Sequence, residues 1–379
     1  MTFTFVHTAD WQIGKVFGGF AADKVPLLRE ARLAAIGRIA AVARGSGARH
    51  VLVAGDVYDS RDIPDRDLLQ SLDRMRREQD VTWHLLPGNH DPAQAGGIWE
   101  RLVRAGVPAN VRLHLEPRPE MIDPEVALLP APLTARTTSG DDPTTWMETA
   151  ETPAARYRLG LAHGSIQGFG GEDGDAAVPI APSRAEMAGL DYLALGDWHG
   201  VTRISDRVWY AGTPEPDRFP DNEPGFVLVV RLEGERGPVK VERHATAHYT
   251  WWKRTLAMTG PESLAIFEQS LAAKVAHPER LLMRLALGGT ASLSAWSDAT
   301  ARLAAFEQRL FHLTVDSSGL QVLPEDVELE EFGAGDLRRV AELLSRTARD
   351  TAHAQAPAAS LALRKFYVLW QETRGGDQA

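Results

Sequence analysis

Five short runs of β-forming residues each end in a polar motif, and this recurrence constrains the fold more than any other feature. Residues 3–6 lead to Asp10 in DWQ, and residues 51–54 end at Gly55 and Asp56. Residues 83–86 run through Pro87 and Gly88 to Asn89 and His90. Residues 159–162 end at His163, and residues 192–195 end at Gly196, Asp197 and His199. Short apolar runs closed by Gly or Pro read as buried strands. Between the first two, Leu28, Ala31, Ala35, Ile39 and Val42 recur at steps of three and four, which predicts a helix stopped by Gly45 and Gly47. Strand and helix therefore alternate. In open α/β sheets, ligands gather beyond the carboxyl ends of the strands, where loops turn side chains inward. All five motifs lie where that rule puts a site.

The residues at those ends are of one chemical kind. The chain has no Cys, so thiolate metal sites and thiol nucleophiles are excluded and any metal is held by oxygen and imidazole. Such donors favour manganese-like ions. Two ions a few ångströms apart acidify a water and grip phosphate oxygens, which is what phosphodiester hydrolysis requires. Asp56 is placed to bridge both ions. Asp10 and Gln12 alternate along an extended segment, so they reach the same ion only if the backbone turns after the strand. Asn89 supplies a neutral carbonyl oxygen, and His90 is placed to protonate the departing alkoxide. A single strand-end Asp is often only a helix cap, and a lone His is usually a satisfied polar residue. It is the joint occurrence that carries the metal reading. His50, His84 and His114 fall in no such motif and read as satisfied polar residues.

The length of 379 residues predicts more than one domain. We expect a catalytic domain over 1–254, a small α/β module over 255–332 and C-terminal helices over 333–379. The last are expected to pack on their own domain rather than on a partner. The stretch 168–175 (GFGGEDGD) reads as a mobile loop at the rim of the site, and 136–152 as a surface excursion. Residues 226–232 and 239–243 read as an antiparallel pair. A net charge of −10 argues against a nonspecific nucleic-acid coat but not against a nuclease, since two bound dications add positive charge where phosphate sits. Basic clusters exist at Arg74, Arg76 and Arg77, and at Arg203, Arg207 and Arg218. In 240–254, Arg243, His244, His248, Lys253 and Arg254 alternate with Tyr249, Trp251 and Trp252. That mixture suits contact with a nucleic-acid backbone and bases. The blander reading of the same stretch is an amphipathic edge between domains. No apolar run is long enough to span a bilayer, and a cytoplasmic location is expected.

With HTADWQIGK, GDVYD, PGNHD, AHG, LGDWHG and YAGTPE in this order, the chain resembles the calcineurin-like metallophosphoesterases, and among them the SbcD-type DNA repair nucleases. The resemblance implies a metallophosphoesterase β-sandwich flanked by helices, with a small α/β capping domain that contacts DNA. It implies that Asp10, Gln12, Asp56 and His199 hold one metal, that Asp56, Asn89, His163 and Asp197 hold the other, and that His90 is catalytic. Lys15, Arg61 and Trp198 are the expected substrate contacts.

Two positions depart from the family pattern. Gln12 stands where these nucleases carry His, and Asp197 where they carry the first His of G-H-x-H. The oxygen-rich set tilts metal preference toward manganese and away from zinc. Gln12 also resembles a bacterial clade of manganese-dependent metallophosphoesterases associated with DNA repair that cut single strands internally. The expectation is a two-manganese DNA endonuclease, with single-stranded DNA as its substrate and a homodimer or a repair ATPase as candidate partners. The alternatives are an SbcD-like exonuclease subunit, a phosphodiesterase or phosphatase for nucleotides, and a metal-free scaffold. GDWHG also resembles the opening motif of serine/threonine protein phosphatases, but here it comes last, and order decides against that family.

Overall fold

The computed structural model describes residues 2–169, 177–234, 236–260, 262–350 and 352–376. The strands in chain order are Thr2–Thr8 (β1), His50–Val53 (β2), Thr82–Leu85 (β3), Val111–Leu113 (β4), Glu120–Asp123 (β5), Val126–Ala131 (β6) and Tyr157–His163 (β7). They continue with Ser165–Ile166 (β8), Pro179–Ile180 (β9), Tyr192–Gly196 (β10), Thr202–Arg203 (β11), Val208–Tyr210 (β12), Phe226–Glu233 (β13), Val239–Ala245 (β14), Thr250–Met258 (β15), Leu281–Ala291 (β16) and His312–Val322 (β17). The helices are Val25–Ser46 (α1), Asp65–Arg77 (α2), Ile98–Ala105 (α3), Arg184–Met187 (α4), Ser263–Ala272 (α5), Leu293–Glu307 (α6), Asp326–Glu330 (α7), Asp336–Arg349 (α8) and Ala356–Gly376 (α9). No helix among the described residues is long and apolar enough to cross a membrane.

Residues 1–249 form one compact unit and residues 250–379 another. The first is a sandwich of two six-stranded sheets, ordered β14-β13-β1-β2-β3-β4 and β11-β12-β10-β7-β6-β5. β1 to β4 run parallel, as do β6, β7, β10 and β12, so all five motif-bearing strands point their carboxyl ends the same way within their sheets. Phe5, Leu52, Leu228 and Val230 from one sheet meet Leu128, Leu159, Leu161 and Tyr192 from the other in a dry interior. Helices α1, α2 and α3 cover the outer face of the first sheet, and Met147 and α4 cover the second. Alternate strand residues therefore face two cores, which is why the strands read as continuous apolar runs.

Several expectations needed correction in detail. Gly45 lies inside α1, and the helix ends only at Gly47, whose φ of 73° opens a left-handed cap. The stretch 136–152 lies largely at the surface, as expected, but is anchored at points along its length. Met147 is fully buried, and Asp142 accepts from the Ala181 N–H at 2.9 Å and from Arg184 Nη2 at 2.9 Å. Phe169 packs edge-on to Trp198 at 5.4 Å, while residues 170–175 of the expected rim loop lie outside the described residues. The basic stretch 240–254 divides between β14 of the first unit and β15 of the second. Tyr249 and Trp251 are buried, so the rings do not form an exposed stacking row.

In the second unit β15, β16 and β17 form a parallel sheet, linked through α5 and α6. Leu285, Leu303, Phe332, Ala341, Leu363 and Tyr367 share its core, so the last helices belong to the same unit as the α/β module. The expected boundary after residue 254 falls within β15.

Candidate metal centre

The site begins with backbone geometry. Asp10, Gln12, Asp56 and Asp197 have φ values of 53°, 50°, 51° and 101°, a region that residues with a side chain rarely adopt. Among the described residues only Ser139 and Arg236 are other non-glycine examples, so the unusual conformations concentrate at the strand ends, as is typical of functional sites. The turn after β1 lies against the turn after β2. Asp10 N donates to Gly55 O at 3.1 Å, Gln12 N to Asp56 O at 3.0 Å and Ile13 N to Val57 O at 2.9 Å. This is the backbone turn that Asp10 and Gln12 require to face one point.

Two glycines permit the close approach. Gly55 has φ of 83°, and a methyl there would overlap the His163 ring. A methyl on Gly88 would overlap the Asp56 carboxylate and its backbone nitrogen.

Asp10, Asp56 and His163 are buried, and one ligand atom from each lies within 4.8 Å of the others. His163 Nδ1–H donates to Ala54 O at 2.9 Å, which leaves Nε2 facing Asp56 Oδ1 at 3.5 Å and Asp197 Oδ1 at 3.9 Å. The Asp197 N–H donates to Asp10 Oδ1 at 3.1 Å, and Ser165 Oγ–H donates to Asp197 Oδ2 at 2.5 Å. The His90 N–H donates to Asp56 Oδ1 at 3.0 Å, and His90 Nδ1–H donates to Asp59 O at 2.9 Å. Gln12 presents its side-chain nitrogen, not its oxygen, to Asp56, donating to Oδ2 at 2.8 Å.

Electrostatics mark the cluster as short of positive charge. Burial works against a charged His163, yet Asp56, Asp10 and Asp197 push its pKa up to about 9. Burial raises the Asp10 carboxyl to about 6, even with His199 and His163 pulling it down. Two buried ligand atoms, Asn89 Oδ1 and His163 Nε2, have no hydrogen-bond partner. Buried polar atoms are rarely left so, and both are of the kind that binds a divalent ion, so the donor set fits a metal.

Several contributors were not legible as motifs. Arg32 is buried in α1 and donates to Trp11 O at 2.8 Å, Asp10 O at 3.3 Å, Thr213 Oγ1 at 3.1 Å and Glu215 O at 2.8 Å, so it fixes the first turn. Its signal was a charged residue on the helix's apolar face, one turn from Leu28 and Ile36. Asp91 accepts from Gly88 N at 2.6 Å and Tyr58 N at 3.0 Å, holding the third loop against the second. Asp217 Oδ1 lies 3.2 Å from His199 Nδ1, a carboxylate that orients a candidate ligand. Burial opposes its charge, but His199, Arg32 and Lys15 hold its carboxyl far below the usual carboxylate range.

The three expected substrate contacts are placed differently. Lys15 Nζ pairs with Asp59 at 3.1 Å and Asp217 at 3.0 Å. Arg61 donates to Gln94 Oε1 at 2.8 Å. Trp198 lines a cleft of about 300 Å³ with Asp197, His199, Arg218, Phe219 and Asn222.

A two-sheet sandwich that gathers carboxylates, imidazole and an amide at its strand ends defines a metal-dependent phosphoester hydrolase. Residues 3–231 match the model of the calcineurin-like phosphoesterases, and the chain belongs to that family. Comparison with curated proteins finds no match.

Proposed function

We propose that this protein is a manganese-dependent DNA nuclease that cuts single-stranded DNA internally at a two-ion site. The observation that carries the reading is the donor set itself. Five of the seven candidate ligands offer oxygen, and the sixth and seventh are the imidazoles of His163 and His199. Such a set favours manganese over zinc. Asp10, Gln12, Asp56 and His199 would hold one ion, and Asp56, Asn89, His163 and Asp197 the other. For Gln12 to bind through oxygen, its amide must turn over from the orientation that now donates to Asp56. Divalent ions held by these residues would supply positive charge for the phosphate and a more acidic water.

The chain's own residues supply the rest. His90 has its Nδ1–H committed to Asp59 O, so Nε2 is the ring nitrogen left to exchange a proton with the leaving oxygen, which it would donate from the doubly protonated ring. Asp217 and Ala54 O orient His199 and His163. Lys15, Arg61 and Trp198 are the proposed substrate contacts at the rim. A second unit over residues 250–379 supports a polymeric substrate, which has more surface to contact than a nucleotide does.

The test is cleavage of end-labelled linear single-stranded, duplex and circular single-stranded DNA with manganese, magnesium or zinc. Manganese-dependent cutting of the circle is expected. Cleavage of linear ends alone would indicate an exonuclease, and failure on all three would turn the assignment to small phosphodiesters.

A further inference from the structure

Away from the metal centre, three histidines form a continuous chain, His84 and His114 buried and His50 partly so. His50 stands on β2, His84 on β3 and His114 just past β4. In the parallel register His50 faces Thr82 and His84 faces Arg112, so each successive ring lies two positions further along its neighbour. The result is a diagonal ladder on the face turned toward the second sheet. His50 Nδ1 is 3.0 Å from His84 Nε2, and His84 Nδ1 is 3.0 Å from His114 Nε2. The ring centroids are 5.2 Å apart at both steps, and the His84 and His114 planes differ by only 17°. His84 is 2% exposed and His114 fully buried. The chain ends on Glu120 of β5, whose Oε2 is 3.4 Å from His114 Nδ1. Glu120 belongs to the other sheet, and its side chain is 31% exposed.

Hydrogen-bond chemistry fixes how many protons this chain holds. A neutral imidazole has one donor and one acceptor nitrogen, and a carboxylate only accepts. The Glu120 carboxylate, 3.4 Å from His114 Nδ1 in an ion-pair contact rather than a hydrogen bond, favours the proton on that nitrogen, and His114 then accepts at Nε2 from His84 Nδ1–H. His84 in turn accepts at Nε2 from His50 Nδ1–H. Every ring is then the Nδ1–H tautomer. One extra proton fits on any ring without breaking a bond, because rings toward His50 reverse to Nε2–H while those toward Glu120 keep Nδ1–H. A second proton sets two donors against each other.

We infer that His50, His84, His114 and Glu120 form a one-proton relay, a chain that takes up a single proton in acid and shares it between the two sheets. Burial pushes the His84 and His50 imidazoles down, which favours their neutral form. The charged groups around it are mixed in sign. Asp123 and Arg49 face His50, Arg112 faces His84, and Arg118 lies 3.7 Å from Glu120. The His114 imidazole beside Glu120 holds that carboxyl below its usual range, so it is an anion when the proton arrives. β2 and β3, which carry two of the rings, also end in the loops of Asp56, Asn89 and His90, so the relay's charge acts on strands that support the metal centre.

The test is long-range nitrogen–proton NMR on the full chain with labelled histidine. At neutral pH all three rings should show Nδ1–H. On acidification they should shift together with one midpoint and take up one proton in total. His84→Phe keeps a ring but cuts the chain, and His50 and His114 should then titrate separately. If that variant does not fold, Glu120→Gln at the half-exposed end should lower the common midpoint by roughly one pH unit. Separate midpoints in the wild-type protein, Nε2–H tautomers at neutral pH, or a midpoint unmoved in Glu120→Gln would each overturn the relay.

Discussion

The side chain of Gln12 donates an N–H to Asp56 Oδ2 at 2.8 Å, with both residues buried. Gln12 therefore braces the carboxylate proposed to serve both ions. Removing a buried donor to a charged acceptor costs about 1–3 kcal/mol. Gln12→Ala is expected to lower the thermal midpoint of the metal-free protein and weaken manganese binding, as read by calorimetry. Gln12→His is expected to broaden metal use, and an unaltered metal profile would show the replacement to be incidental.

His90 is fixed by its backbone N–H to Asp56 and by Nδ1–H to Asp59 O. Its Nε2 is free for proton transfer. His90→Asn should leave bound metal intact and slow cleavage by roughly 10²-fold or more. Full activity in that variant would remove His90 from the mechanism.

Asp217 is a positioning residue for His199. Asp217→Asn keeps the shape but removes the charge that faces both His199 and Lys15. Metal affinity should fall roughly 10-fold to 100-fold. Direct titration of manganese into the variant measures it, and an unchanged affinity would make Asp217 a purely structural group.

Manganese should raise the thermal midpoint in a concentration-dependent way, since it binds the folded state. His163→Ala removes a ligand atom that has no other hydrogen-bond partner, and should abolish most of that rise. A variant still stabilised to the same degree would place the ion elsewhere.

His7 controls part of the acid stability. Burial lowers its pKa to about 3, although its hydrogen bond to Leu195 O works the other way. In the unfolded chain the imidazole protonates near its ordinary value of 6.5, so below that pH the unfolded state binds more protons. The stabilising contribution is complete above about pH 6.5 and is lost as pH falls toward 3, by at most about 1.4 kcal/mol per pH unit. Chemical denaturation from pH 7 to pH 4 should show a shallower slope in His7→Phe. Equal slopes would assign the acid lability to other groups.

Much of this protein was legible from its sequence. The apolar runs before Asp10, Asp56, Asn89, His163 and Asp197 are strands, because side chains buried on both faces of a sheet must be apolar at successive positions. Both β15 and β17 were missed, since Lys253 and Arg254 in one, and Asp316, Ser317 and Ser318 in the other, interrupt any apolar pattern. The C-terminal helices were visible from their spacing, but not that they share a core with the module before them.

The sequence by itself determined which residue types reach the strand ends and in what order, because both depend on local periodicity and turn chemistry. Only the tertiary structure decided the rest. Left-handed backbone at Asp10, Gln12, Asp56 and Asp197 arises from loops pressed together, and no single loop encodes it. Arg32, Asp217 and the ladder of His50, His84 and His114 act through partners 18 to 183 positions away. Those contacts form only once two sheets and a helix are packed, because hydrogen bonds depend on distance in space and not on separation along the chain.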